Sequence, residues 1–283
     1  MDIDVFAAVI AAAAFQAGWN FFTKSFTGDR GILLVLGWAI IGLLLIPIGI
    51  VSSDMNAVPA SAGWIVLGSG VIHSVYVMLL SWSYKQGDLS LIFPVSRGGG
   101  IALTCILAAL FGVEQISLTG FFGISTVVLG IILLCFAKID KLSSHLRPIF
   151  AALAVSVTIA AYSLVDKIGT AHIPLVFYLG TLNLLPALFL MPWFCYKRPK
   201  EVRFILKNHK MRSLMVSAAG SGGYLIILWA FKQSSASYVV ALREISIVFA
   251  VLLGVVFLKE PLSKYKLAAV ATIITGIFLI KNA

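Results

Sequence analysis

Ten predominantly apolar stretches, separated by short polar breaks, run from one end of this 283-residue chain to the other. A bilayer core about 30 Å thick needs roughly 20 such residues as helix, and hydrocarbon offers the backbone no partner outside that helix. The pattern predicts an all-α integral membrane fold with helices over 4–22, 31–51, 63–83, 89–111, 118–137, 146–166, 174–195, 213–231, 236–258 and 265–281. Turn and charge signals mark the breaks, as in Thr27-Gly28-Asp29-Arg30, Ser52-Ser53-Asp54, Gln86-Gly87-Asp88 and Lys259-Glu260-Pro261. The longest polar connection runs from Lys197 to Arg212.

Only 11% of the residues are charged and 60% are hydrophobic, where soluble domains carry about 25% charge. The length leaves no room for a soluble catalytic domain beside ten spans. The opening Met1-Asp2-Ile3-Asp4 lacks the basic start of a cleavable signal, so the first stretch reads as the first spanning helix. The net charge of +10 reflects topology rather than nucleic-acid binding. Sixteen Lys and Arg fall in the odd-numbered loops, and three (Lys167, Lys232 and Lys281) fall on the other side. The positive-inside rule then places the odd-numbered loops in the cytoplasm and both termini outside, in the cell (inner) membrane. Cys105, Cys135 and Cys195 all fall in apolar stretches and read as small buried residues, not as a disulfide or metal framework.

An internal repeat covers most of the chain. Trp82-Ser83-Tyr84-Lys85-Gln86 recurs as Trp229-Ala230-Phe231-Lys232-Gln233 at an offset of 147. Glu114 and Glu260 are 146 apart, as are Gly130 and Gly276. The halves, 1–140 and 141–283, would each hold five helices. An odd number inverts the second copy, and inverted repeats place a site around a central cavity near the midplane, between halves that rock for alternating access.

Intramembrane charges mark a pathway or a partner. Arg97 lies about nine residues into its helix, roughly 13 Å deep at 1.5 Å per residue. Arg243 sits at similar depth, and Glu244 beside it points about 100° away, so the two neighbours cannot pair face to face. The expectation is that Glu244 balances Arg97 across the pseudo-twofold axis and leaves Arg243 for an anionic group; the competing reading is that all three only satisfy one another. Pro94 and Gly98, the first of a Gly98-Gly99-Gly100 run, suggest a kinked helix exposing backbone polar groups, against a bland reading of tight packing. His73 would suit proton coupling, although a lone histidine is more often a hydrogen-bonded packing residue. Trp19, Asn20, Tyr76 and Tyr224 are candidate cavity lining. Trp82 and Trp229 read as interfacial anchors, and Asp166 with Lys167 as a surface pair.

Gly18-Trp19-Asn20, the run Gln86-Gly87-Asp88-Leu89-Ser90 into Phe93-Pro94-Val95-Ser96-Arg97-Gly98, and Leu258-Lys259-Glu260-Pro261 give the chain its family character. It resembles the drug/metabolite transporter superfamily, specifically EamA-type transporters, over nearly its whole length. The resemblance implies a carrier of small metabolites. It also implies cytoplasmic termini, which the charge asymmetry opposes.

The leading function is a secondary transporter for a small polar or amphipathic metabolite, proton-coupled or working by exchange. The alternatives are a flippase for a lipid-linked headgroup and a membrane-embedded lipid-modifying enzyme. Scattered acids and the absence of HExxH, GxSxG or metal spacing count against the enzyme. No cofactor or metal is implied, and monomer and dimer both stay open. The expected partners are the lipid bilayer and a small anionic or zwitterionic solute, since Arg97, Arg243 and Glu244 sum to +1.

Overall fold

The computed structural model describes residues 1–24, 26–86, 89–136, 146–258 and 263–283. Gly87, Asp88, Lys259, Glu260 and Pro261 of the sequence motifs lie outside the described residues, as do the side chains of Asn20 and Cys135. Among the described residues there is no strand. The helices are α1 (Ile3–Lys24), α2 (Arg30–Ser52), α3 (Ala62–Ser83), α4 (Leu89–Leu110), α5 (Leu118–Phe136), α6 (Leu146–His172), α7 (Leu175–Lys197), α8 (Pro199–Asn208), α9 (Lys210–Gln233), α10 (Ala236–Arg243), α11 (Ile245–Leu258) and α12 (Lys264–Lys281).

Seven helical stretches among the described residues are long and apolar enough to cross a bilayer: those of α2, α3, α4, α6, α7 and α9, and Ala236–Phe257. Shorter apolar runs occupy Ile3–Trp19 and Leu118–Leu134. The surface carries Val51, Trp64, Leu110 and Phe111 at 74–88% exposure, side chains that suit lipid and not water. The chain is an all-α, multi-pass membrane protein.

Three features depart from the sequence reading. The polar connection after α7 is not a loop. Pro199 at its first turn, Glu201 early, Lys207 late and buried Val202 and Ile205 one turn apart fold it as α8. The stretch 236–258 is broken at Glu244, where the amides of Glu244 and Ile247 bond carbonyls three residues back instead of four. Finally, α6 runs to His172 rather than ending at 166.

The described residues form two compact units, each drawing helices from both sequence halves. One comprises Met1–Ala14, Met78–Leu164 and Gln233–Ala283. In it α5 packs along α12, and α10 rests on α4, α5 and α12. Lipid tails are as apolar as leucine, so helices associate there through close packing of small residues. A Cβ at Gly123 would strike Ile280 and the Gly276 carbonyl, and one at Gly276 would strike Val127 and the Gly123 carbonyl. Glu114 caps the buried start of α10, accepting from the amides of Ala236 and Ser237 and, at 2.8 Å, from the Ser237 hydroxyl.

The other unit comprises Phe15–Val77 and Val165–Lys232. Here α2 packs along α7, and α8 touches both. Phe26, Ile32, Leu33, Leu190, Phe194 and Ile205 form its apolar core. Gly42 faces Leu184 and the Gly180 carbonyl, while Gly180 faces Ile46. Asp29 caps α2 through the Ile32 amide at 3.0 Å and also pairs with Arg198.

Candidate functional site

In the first unit the buried charges meet at the α10–α11 break. Arg97 of α4 reaches Glu244 with Nη1 3.2 Å from Oε1, their side chains 9% and 1% exposed. The Phe93 ring, one turn earlier on α4, lies 5.3 Å beneath the Arg97 guanidinium. Arg243, 4% exposed, takes no part in that pair. Its Nη2 makes a long 3.5 Å contact to the Tyr162 hydroxyl of α6. Arg243 Nε, Glu244 Oε2 and Ser246 Oγ are buried without a hydrogen-bond partner among the described residues. Three such orphans within four residues are a concentrated departure from the rule that buried polar atoms are paired.

The helix break explains the placement of these charges. Arg243 ends α10, where carbonyls carry negative potential, and Glu244 precedes the amides that open α11. A continuous helix would give these side chains no such complement. On α4, the chain runs through Pro94 as a single helix. Gly98 abuts Ile131 of α5, while Cβ atoms on Gly99 and Gly100 would strike Ser156 and Ile159 of α6. The Ser156 hydroxyl lies 3.0 Å from the Ser96 carbonyl. The glycine run is thus a close-packing surface.

In the second unit Asp166 is fully buried, so it is not the surface residue the sequence suggested. The apolar run predicts a helix end at 166; because α6 continues to His172, the carboxylate is carried inside. Its Oδ1 accepts from the Ser69 hydroxyl of α3 and, at 2.8 Å, from the Tyr178 hydroxyl of α7. Its Oδ2 accepts from the Tyr224 hydroxyl of α9 and lies 3.8 Å from His73 Nε2. Gly169, nearly one turn on, makes the room that the Tyr178 ring occupies. His73 Nδ1 is 3.0 Å from the Ser69 carbonyl, and its ring meets Tyr224 edge to face at 6.0 Å. Lys167 donates to the Phe231 carbonyl.

Of the remaining candidates, Trp19 of α1 is half-buried and lies alongside Gly220 of α9, and Tyr76 is half-buried on α3. Asn20 falls in α1. Cys105 is buried, but Cys195 is exposed. Cys195 lines an open depression of about 380 Å³ with Pro199, Val202, Arg203, Leu206 and Lys207, none of them in either polar cluster. Among the described residues no group of His, Cys, Asp and Glu could hold a metal.

Apolar helices carrying a few buried charges define a polytopic membrane protein with polar sites inside it. The sequence profile of the EamA-like transporter family matches residues 146–281. Multidrug resistance protein EbrB of Bacillus subtilis (strain 168) is 35% identical over 99 residues, 33% of this chain and 85% of that protein. A solved crystal structure is similar over 98% of this chain and 96% of its own, with a TM-score of 0.74 at 16% identity, a likeness of fold. The chain belongs to the EamA-like transporter family, within the drug/metabolite transporter superfamily.

Proposed function

We propose that this protein is a secondary transporter that binds the anionic group of a small metabolite at Arg243. Alternating access arises between two inverted five-helix repeats, 1–140 and 141–283. The observation that carries the substrate site is the division of labour among three buried charges. Glu244 is committed to Arg97, while Arg243 keeps a buried Nε with no partner among the described residues. A guanidinium so placed suits a carboxylate or phosphonate, including that of an amino acid.

The packing supports the repeats. Arg97 and Glu244 are 147 positions apart, the offset of the tryptophan motif. Equivalent positions that touch each other lie on the axis relating the two copies. Gly42 and Gly180 are equivalent at an offset of 138, as are Ile46 and Leu184, and their contacts are reciprocal. The helices α2 and α7 meet antiparallel there, and α5 and α12 do the same. Antiparallel packing of equivalent helices is what inversion requires. Counting α10 and α11 as one interrupted span, and leaving α8 at the membrane surface, gives ten spans.

Reconstituted in liposomes and screened with small carboxylates, phosphonates and amino acids, the wild-type protein gains thermal stability with at least one of them. A solute at 100 times its Kd adds about 2.7 kcal/mol, and Arg243→Ala loses that gain. An anionic solute that stabilises both proteins equally would remove Arg243 from the site.

A further inference from the structure

The Asp166 cluster of the second unit takes no part in the anion site described above. We propose that His73 and Asp166 form a proton-binding site, the point at which the carrier is driven by a proton gradient. Proton binding stands on its own geometry; the coupling rests on the transporter reading.

The contacts of His73 fix its tautomer. His73 Nδ1 lies 3.0 Å from the Ser69 carbonyl and 3.2 Å from the Ser69 hydroxyl. A carbonyl only accepts, so the closer contact requires a hydrogen on Nδ1. In a neutral imidazole the other nitrogen then carries a lone pair. That nitrogen, Nε2, faces Asp166 Oδ2 at 3.8 Å. The carboxylate is also acceptor-only, so two lone pairs would confront each other beside a fully buried charge. One added proton removes the conflict. On Nε2 it makes an imidazolium paired with the carboxylate; on Oδ2 it makes a carboxylic acid beside a neutral imidazole.

The surroundings fit a carboxylate that changes charge. Ser69, Tyr178 and Tyr224 supply three hydroxyls, whose hydrogens can turn when Oδ2 changes from acceptor to donor. The titratable groups that face Asp166 are His73 from α3, Tyr178 from α7 and Tyr224 from α9, and Lys167 follows it on α6. Lys167 is directed to the Phe231 carbonyl. Asp166 is fully buried, whereas His73 keeps 16% side-chain exposure and Tyr224 is half-buried. A proton therefore enters at the imidazole, passes from Nε2 to Oδ2, and returns to water by the same atoms after the conformational change. One proton is bound and one released in each cycle.

The test is NMR of protein labelled with ¹⁵N-histidine, titrated between about pH 8 and pH 5. The His73 signals are identified by their loss in His73→Gln. The account requires Nε2 to titrate while Nδ1 stays protonated. It also requires the midpoint to move by about one pH unit or more, tenfold in proton affinity, in Asp166→Asn. If Asp166→Asn does not fold, Ser69→Ala and Tyr224→Phe keep the carboxylate and must each move the midpoint. A midpoint indifferent to these changes overturns the site. The solute screen with Arg243→Ala is run on the same preparations. Solute binding with a silent His73 sinks this proposal alone, and a titrating His73 with no solute binding sinks the carrier reading instead.

Discussion

Taking a guanidinium out of water costs several kcal/mol unless a partner repays it, and Arg97 and Arg243 meet that cost differently. Arg97 has a carboxylate at 3.2 Å and an aromatic face beneath it. Arg243 has only a long contact to a phenol and an orphaned Nε among the described residues. Removing one member of a buried pair strands the other, so Arg97→Ala should cost about 3–5 kcal/mol in unfolding experiments in detergent. Exchanging the charges, Arg97→Glu with Glu244→Arg, should recover most of that loss; no recovery would mean that the two do not act as a pair. The pairing was legible in the sequence because a charge inside an apolar run demands a partner and an adjacent residue cannot supply it. Asp166 was not legible. The hydropathy fades near it, and its neighbour Lys167 makes the two look like a surface pair. Only the continuation of α6 to His172 and the hydroxyls of three other helices make it a buried group.

Helices in lipid are held by how closely their backbones approach. Alanine at Gly276 would press a methyl against the backbone of Val127 and should cost about 1–3 kcal/mol. At Gly68 a Cβ meets nothing within 4 Å, so alanine there should stabilise the helix by about 0.5–1 kcal/mol. Thermal unfolding of the two variants reads the difference directly, and equal effects would contradict the packing account. Most of the helices were readable from apolar runs alone, since bilayer thickness fixes their length. Two features were not. The segment forming α8 is too polar to score as a span, although Val202 and Ile205 lie three residues apart on one face. The break at Glu244 has no glycine or proline to announce it. It follows from buried charges that need helix ends beside them, a tertiary demand that no local propensity records.

For the whole molecule, the sixteen-to-three distribution of basic residues sets the orientation we propose, with both termini outside. Single cysteines at Asn208 on α8 and at Ala283, each in a background where Cys105, Cys135 and Cys195 are replaced by serine, should label from the cytoplasmic and the outer side respectively. The opposite pattern would reverse the topology and favour the arrangement implied by the family resemblance. The reciprocal contacts of α2 with α7 and of α5 with α12 would give the two inverted copies we propose a physical basis. A carrier of the kind we propose would exchange its substrate across the membrane without a nucleotide. The most direct test is counterflow in proteoliposomes loaded with the anionic solute that best stabilises the protein. The account predicts that labelled solute accumulates against its unlabelled pool with wild type and that Arg243→Ala reduces this to the protein-free rate. Equal accumulation with both proteins, or none with wild type, would contradict it.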